Sequence, residues 1–264
     1  MSFRSEEPPA VFLVGTAGSG KTTLAFSLAD WLGRKGVEAE ILNLDPGVEY
    51  LPYDPLVDVR EYVDIRELMR TKGLGPNSSL ILATDMLADY IGQMRDVLSQ
   101  SSPDMFIADT PGQIELFAFR ASGLLLCREL FGGGKAIAYL VDAPFSADPL
   151  NYVSNMFLES AVYSRLLLPV LTVVTKVDLV PRSATERLAL WARDPDSILL
   201  HARESIPSEQ YLYVDSILRS LPKLDFLSRL SMVSALDFTG FLELNAALSR
   251  LFFRGEETLG GPPS

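Results

Sequence analysis

The nine residues "GTAGSGKTT" at positions 15–23 constrain this 264-residue chain more than any other feature. They fit the pattern G-x-x-x-x-G-K-[S/T], which has physical meaning only where a strand runs into the loop and a helix leaves it. Both flanks are present: the apolar run "AVFLVG" (10–15) precedes the loop, and the amphipathic "TTLAFSLADWLGRKG" (22–36) carries on from its end. Gly15, Gly18 and Gly20 allow the backbone to close around phosphate oxygens without side-chain obstruction. Ala17, Ser19 and Thr23 complete the phosphate-binding run. The helix N-terminus adds aligned N–H groups and a partial positive charge. Lys21 is expected to reach the β- and γ-phosphates, and Thr22 to ligate Mg²⁺. A loop of this kind demands a parallel sheet behind it and a nucleoside triphosphate in front of it.

The remaining sequence supplies that sheet. Near-continuous apolar runs at 10–15, 38–45, 104–110, 136–143, 169–176 and 230–236 read as strands covered on both faces, with helical or loop stretches between them. Such alternation predicts an α/β fold: a P-loop NTPase of three layers, α/β/α, with a mostly parallel central sheet and helical insertions. Loops after strand C-termini then line one edge, where function is expected. One domain over 8–254 is predicted, with an insertion at about 46–79 and a helical one at about 182–229. The tail 255–264, rich in Gly and Pro, is expected to lack structure. The stripe Leu80, Leu87, Tyr90, Ile91, Met94, Val97 and Leu98 predicts a helix capped by Asn77 or Ser78. The apolar stretch 114–130 is expected to contribute to a subunit interface more than to the core.

Charge and cysteine content exclude several classes. The balance of 34 acidic and 23 basic residues leaves a net −11, which argues against non-specific binding to nucleic acid or an anionic membrane. No run of 18 apolar residues and no secretory leader is visible, so a cytoplasmic protein is expected. Cys127 is the sole cysteine, which rules out an internal disulfide; its apolar neighbours predict a buried thiol. His201 is the sole histidine and is expected to be exposed, without triad partners.

Three further motifs narrow the nucleotide. "FIADTPGQIE" (106–115) ends a strand on Asp109, the position from which a carboxylate supports Mg²⁺. Gly112 can offer its N–H to a γ-phosphate, and Gln113 stands where a glutamine can orient attacking water. "VVTKVDL" (173–179) fits [N/T]-K-x-D: Asp178 can accept from guanine N1–H and the 2-amino group together, and the Lys176 stem can lie along the base. Thr175 stands where Asn is commoner. "VSAL" (233–236), with Ser234, Ala235 and Leu236, fits a loop that backs the base. A guanine nucleotide is expected, GTP as substrate and GDP as product; a nucleoside kinase would leave Gln113 and the guanine motif without a use. Thr16 replaces the second-position lysine of deviant-loop ATPases, and there is no arginine at an obvious finger position.

In this order the motifs "GTAGSGKTT", "NLDPGVEYLPYDPLVDVREYV", "GLGPNSSLI", "DTPGQIELF" and "TKVDL" closely resemble the GPN-loop GTPases. The compact chain looks most similar to the archaeal branch. The resemblance implies a tight homodimer in which the Gly75-Pro76-Asn77 loop reaches the neighbour's nucleotide, with Asn77 near the γ-phosphate. It also implies catalytic roles for Asp45, Asp109, Gln113 and Glu115, with Asp45 as water-orienting group or general base. A neutral amide in place of an arginine finger implies slow turnover. Eukaryotic members are associated with RNA polymerase assembly. The alternative reading is therefore a nucleotide-switched assembly factor whose hydrolysis only times the binding of a protein client.

Overall fold

The computed structural model describes residues 7–194, 196–205, 215 and 230–259. Seven strands form one sheet: β1 (Ala10–Gly15), β2 (Ala39–Asn43), β3 (Val57–Asp58), β4 (Met105–Asp109), β5 (Lys135–Asp142), β6 (Val170–Thr175) and β7 (Leu230–Met232). Their order is β3-β2-β4-β1-β5-β6-β7, and every pairing is parallel. All six residues of β1 are buried, as befits a strand with neighbours on both sides and helices above and below.

Alternation along β1 divides the core into the two halves expected of three layers. Val11 and Leu13 join Leu24, Leu28 and Leu32 of α1 (Lys21–Gly33), together with Phe241, Leu244 and Leu248 of the last helix, Phe241–Leu259. Phe12 and Val14 point the other way, into a larger cluster with α3 (Pro76–Met86), α4 (Ile91–Leu98), α5 (Ile114–Ala118), α6 (Ala121–Glu129) and α8 (Pro149–Leu166). The rings of Phe12 and Phe117 lie 5.8 Å apart, which ties α5 to the central strand. Two short helices, α2 (Ile65–Lys72) and α7 (Ala143–Ser146), complete the α-helices before β6; α9 (Arg182–Arg193) and α10 (Asp196–Ser205) follow it.

Several expectations are corrected. The insertion contains a strand: Val57–Asp58 pairs with Leu42 and Asn43 at the sheet edge. The stripe from Leu80 to Leu98 is not one helix, since a 3-10 turn at Leu87–Tyr90 separates α3 from α4. The cap of α3 is Gly75, with Pro76 as first helical residue; Asn77 and Ser78 already lie in the first turn. Proline suits that place because its missing N–H would have no partner in the helix. Most of 114–130 is core within one chain, with Ile114, Leu116, Phe117, Ala118, Leu126 and Cys127 buried, and only Phe119 and Leu125 exposed among its large apolar residues. His201 is half-buried against Trp191, whose indole N–H donates to its Nδ1 at 3.2 Å. Cys127 is buried as expected, and burial pushes its thiol well above the usual range. The last helix continues to Leu259, into the tail predicted to lack structure, while 260–264 lie outside the described residues. The helical insertion at 182–229 is described only through α9 and α10 and at residue 215; the rest of that expectation lies outside the described residues.

Candidate nucleotide site

Strand register delivers the motifs to one edge. Leu13 of β1 sits beside Asp109 of β4, Gly15 beside Leu140 of β5, and Asp142 at the end of β5 beside Thr175 of β6. The chain crosses from one side of β1 to the other between β4 and β5, the kind of switch point at which open parallel sheets bind ligands.

In the phosphate loop Gly18 and Gly20 adopt φ of 78° and 91°, conformations open to glycine at little cost. Gly20 is the N-cap of α1, so the first N–H groups of that helix open into the loop. Ala17 and Gly18 are exposed, as is Thr23 beyond the loop; Ser19 is buried, with its hydroxyl unpartnered, and Thr22 is half-buried. The Lys21 ammonium donates to the carbonyls of Gly15 at 2.8 Å, Thr16 at 3.0 Å and Gly112 at 3.4 Å. Burial lowers its pKa to about 8 against the opposing charges of Asp109 and Asp45.

Asp109 is 1% exposed. Burial pushes its carboxyl up to about 6, with the Tyr53 and Thr22 hydroxyls and the Lys21 charge pulling it down. Oδ2 accepts from the Tyr53 hydroxyl at 2.7 Å, and Oδ1 is buried without a hydrogen-bond partner. Among the described residues no group of three or more His, Cys, Asp or Glu side chains could hold a metal unaided. Thr22 and Asp109 nevertheless fit Mg²⁺, which is commonly held by one or two protein oxygens together with substrate phosphates.

Asp45 sits at the hub of the other wall. Its Oδ1 accepts from Gly47 N–H at 2.8 Å and its Oδ2 from Gly112 N–H at 3.1 Å. The Gly112 N–H, expected at the γ-phosphate, is thus engaged by Asp45. Asn43, fully buried, orients this loop: its side-chain oxygen accepts from Asp45 N–H at 3.0 Å, and its amide donates to Asp58 at 2.9 Å. The Arg60 guanidinium grips Asp58 and reaches the Val48 carbonyl at 3.2 Å, which holds Asp58 below the usual carboxylate range despite its burial. A Cβ on Gly47 would lie 2.8 Å from Leu80 Cδ1, so a residue without a side chain lets α3 approach this loop closely. Gln113 caps α5 through its backbone, and both it and Glu115 in the first turn are exposed. Asn77 is also exposed, on the first turn of α3.

The base side is tied to the phosphate loop by hydrogen bonds. The Thr175 hydroxyl donates to Ser19 O at 2.7 Å, and Lys176 donates to Gly18 O at 2.7 Å while pairing with Asp142. Thr175 therefore brackets the loop from β6, a task its short side chain performs in place of the commoner Asn. Asp178 is exposed in a 3-10 turn, Val177–Leu179. The predicted base-backing loop follows β7: Val233 N–H donates to Val174 O at 2.8 Å, and buried Ser234 accepts from Leu236 N–H at 3.3 Å. Ala235 is half-buried and Leu236 exposed beyond it.

Sequence reasoning brought together Lys21, Thr22, Asp45, Asp109, Gly112 and Thr175. It missed Tyr53, Asn43, Asp58, Arg60 and Asp142. The signal for Asp142 was available, because that residue ends an apolar strand at the same edge as Asp109.

Fold and site together define a P-loop nucleotide-binding protein with a guanine-type base motif. A family model described as "Conserved hypothetical ATP binding protein" matches residues 13–252. GPN-loop GTPase 1 of Dictyostelium discoideum is 32% identical over 246 residues, 90% of this chain and 60% of that protein. A GPN-loop GTPase of Pyrococcus abyssi is 34% identical over 188 residues, 70% of this chain and 74% of that protein. A crystal structure of a Pyrococcus abyssi GTPase in apo form superposes with a TM-score of 0.81 at 30% identity, covering 92% of this chain and 97% of that one. The chain belongs to the GPN-loop GTPase family. It spans 60% of the length of the Dictyostelium relative and 62% of GPN-loop GTPase 1 of Saccharomyces cerevisiae. "ATP binding" in the family description and "GTPase" in the relatives' names disagree. Asp178, exposed in the turn after β6, could accept two adjacent donors, which guanine presents and adenine does not.

Proposed function

We propose that this chain binds GTP and hydrolyses it to GDP and phosphate with Mg²⁺. The observation that carries the reading is the convergence at one sheet edge of Lys21 and Thr22, the buried Asp109 and the Asp178 turn. Magnesium, held by Thr22 and Asp109 with phosphate oxygens, would neutralise charge on the β- and γ-phosphates. Lys21 binds the same oxygens. A γ-phosphate oxygen at Gly112 N–H would release Asp45 Oδ2 to accept a proton from the attacking water. Gln113 and Glu115, exposed at the start of α5, would orient that water. The protein works as a homodimer, with Asn77 of one subunit entering the partner's site; exposure of Asn77 on a proline-stiffened helix start supports this. Hydrolysis in such an assembly can serve as a timer for a protein client, such as a polymerase complex, in the cytoplasm.

The test is phosphate release from GTP and ATP, with Mg²⁺ and with EDTA. GTP hydrolysis that needs Mg²⁺ is expected; equal use of ATP would remove the base-reading claim. Mixing Asn77→Ala with Lys21→Ala subunits should restore part of the activity, and verified mixed dimers without restoration would confine Asn77 to its own subunit.

A further inference from the structure

Tyr53 lies in the stretch "NLDPGVEYLPYDPLVDVREYV", in which the sequence assigns chemistry only to Asp45, yet its hydroxyl lies 2.7 Å from Asp109 Oδ2. Besides Tyr53, the Thr22 hydroxyl and the Lys21 charge act on the Asp109 carboxyl; two further bonds act on backbone. The carbonyl of Asp109 accepts from Leu44 N–H at 2.8 Å, and the Thr110 hydroxyl donates to Leu13 O at 2.6 Å. The backbone bonds fix where the strand ends but do not set the carboxylate's rotation, because the terminal torsion of an aspartate is broad and roughly two-fold. A buried carboxylate that could present either oxygen would be a poorly organised ligand.

We infer that Tyr53 is a positioning residue for the metal-supporting carboxylate, holding Asp109 Oδ2 so that the unpartnered Oδ1 remains for a divalent cation or its bound water. The inference rests on the nucleotide–magnesium reading proposed above. Two observations support it. Oδ1 is an orphaned acceptor inside the protein, which is costly unless a partner arrives during function. Tyr53 is itself fixed: its ring packs on the apolar cluster of the α1 face, and Leu56 N–H, three residues on, donates to Ile41 O at 2.8 Å. The geometry matches the outer-shell pattern in which a hydrogen bond to a ligating carboxylate sets its orientation and tunes metal affinity. It also gives the first part of the 46–79 insertion a role in the nucleotide site: Tyr53 orders the metal carboxylate while Arg60, through Asp58 and Asn43, orders Asp45.

The test is Mn²⁺ binding, followed by electron paramagnetic resonance, to the full chain loaded with a non-hydrolysable GTP analogue. Tyr53→Phe keeps the ring and removes only the hydroxyl. It should weaken Mn²⁺ binding about ten-fold, at the low end of the 10–100-fold range for lost outer-shell partners. Analogue affinity in EDTA and the urea unfolding midpoint should stay at wild-type values. Tyr50→Phe, at an exposed tyrosine nearby in sequence, should change neither. Unchanged Mn²⁺ affinity overturns the inference, as does tighter binding, which would mean that the hydroxyl competes with the metal. A variant that fails to fold, or loses EDTA-phase nucleotide affinity in step with Mn²⁺, assigns Tyr53 a structural role and overturns it too. Wild-type protein that binds the analogue but no Mn²⁺ defeats the magnesium reading itself, a failure separable from the variant's.

Discussion

The two walls of the nucleotide cleft are built from different materials. On the base side, Thr175 and Lys176 donate to backbone carbonyls of the phosphate loop, at Ser19 and Gly18, from the end of a fully buried strand. On the phosphate side, the 43–60 segment is organised by carboxylates: Asp58 between Asn43 and Arg60, Asp45 between Gly47 and Gly112, Asp109 against Tyr53. Carbonyl acceptors in a sheet-anchored frame offer no alternative arrangement. A carboxylate on a loop can exchange one donor for another when a phosphate oxygen arrives; on the proposed reading the base wall would set affinity and the phosphate wall would report which nucleotide is bound.

Asp45→Asn should break that division most visibly. An amide keeps the shape but is a poor proton acceptor, so single-turnover GTP hydrolysis should fall by about 100-fold, the lower end for loss of a general base. GDP affinity should change little, and a parallel loss of GDP affinity would place Asp45 in the binding frame instead. Thr175→Val probes the opposite wall. Removing the hydroxyl leaves a buried hydrogen bond unmade, at about 1–2 kcal/mol, so GDP and GTP should both bind roughly ten-fold more weakly. An effect on hydrolysis alone would contradict the bracket role.

The smallest effect concerns the scaffold behind the base wall. Glu159 of α8 is buried, accepts from Thr172 on β6 at 2.7 Å, and has its second oxygen unpartnered, as are the hydroxyls of Tyr139 and Tyr152. Burial pushes its carboxyl up to about 8, above the ordinary 4.5. The folded state therefore holds a proton that the unfolded state releases. The stabilisation is complete below about 4.5 and is lost as pH rises through about 8. Wild-type urea stability should fall between pH 6 and pH 8 by on the order of 1 kcal/mol per pH unit more than that of Glu159→Gln, whose amide cannot ionise. Parallel slopes would mean that Glu159 is already ionised in the folded chain.

How much of this was legible in sequence follows from the range of each interaction. The phosphate loop, the Asp109 strand end and the guanine motif are local patterns whose residues lie within a few positions of one another, and strand β1 has the ends its apolar run predicts. Strand β3 did not, because two residues carry no periodicity. The Gly75 cap was missed although Gly-Pro followed by a helical stripe already places proline at the first helical position. Tyr53 and Asp109 are 56 positions apart, and only the pairing of β2 with β3 and β4 brings them together. Residues 114–130 looked like an interface because apolarity alone does not say which side is covered. Burial of Ile114, Leu116, Phe117, Ala118, Leu126, Cys127 and Leu130 within one chain makes most of that stretch core.

The central claim is that the base wall reads guanine through Asp178, and Asp178→Asn tests it most directly. Competition binding of GTP and xanthosine triphosphate should show the wild type preferring GTP and the variant preferring xanthosine triphosphate, because an amide can donate to the oxygen that replaces the 2-amino group. A variant that keeps the wild-type preference for GTP would contradict the assignment.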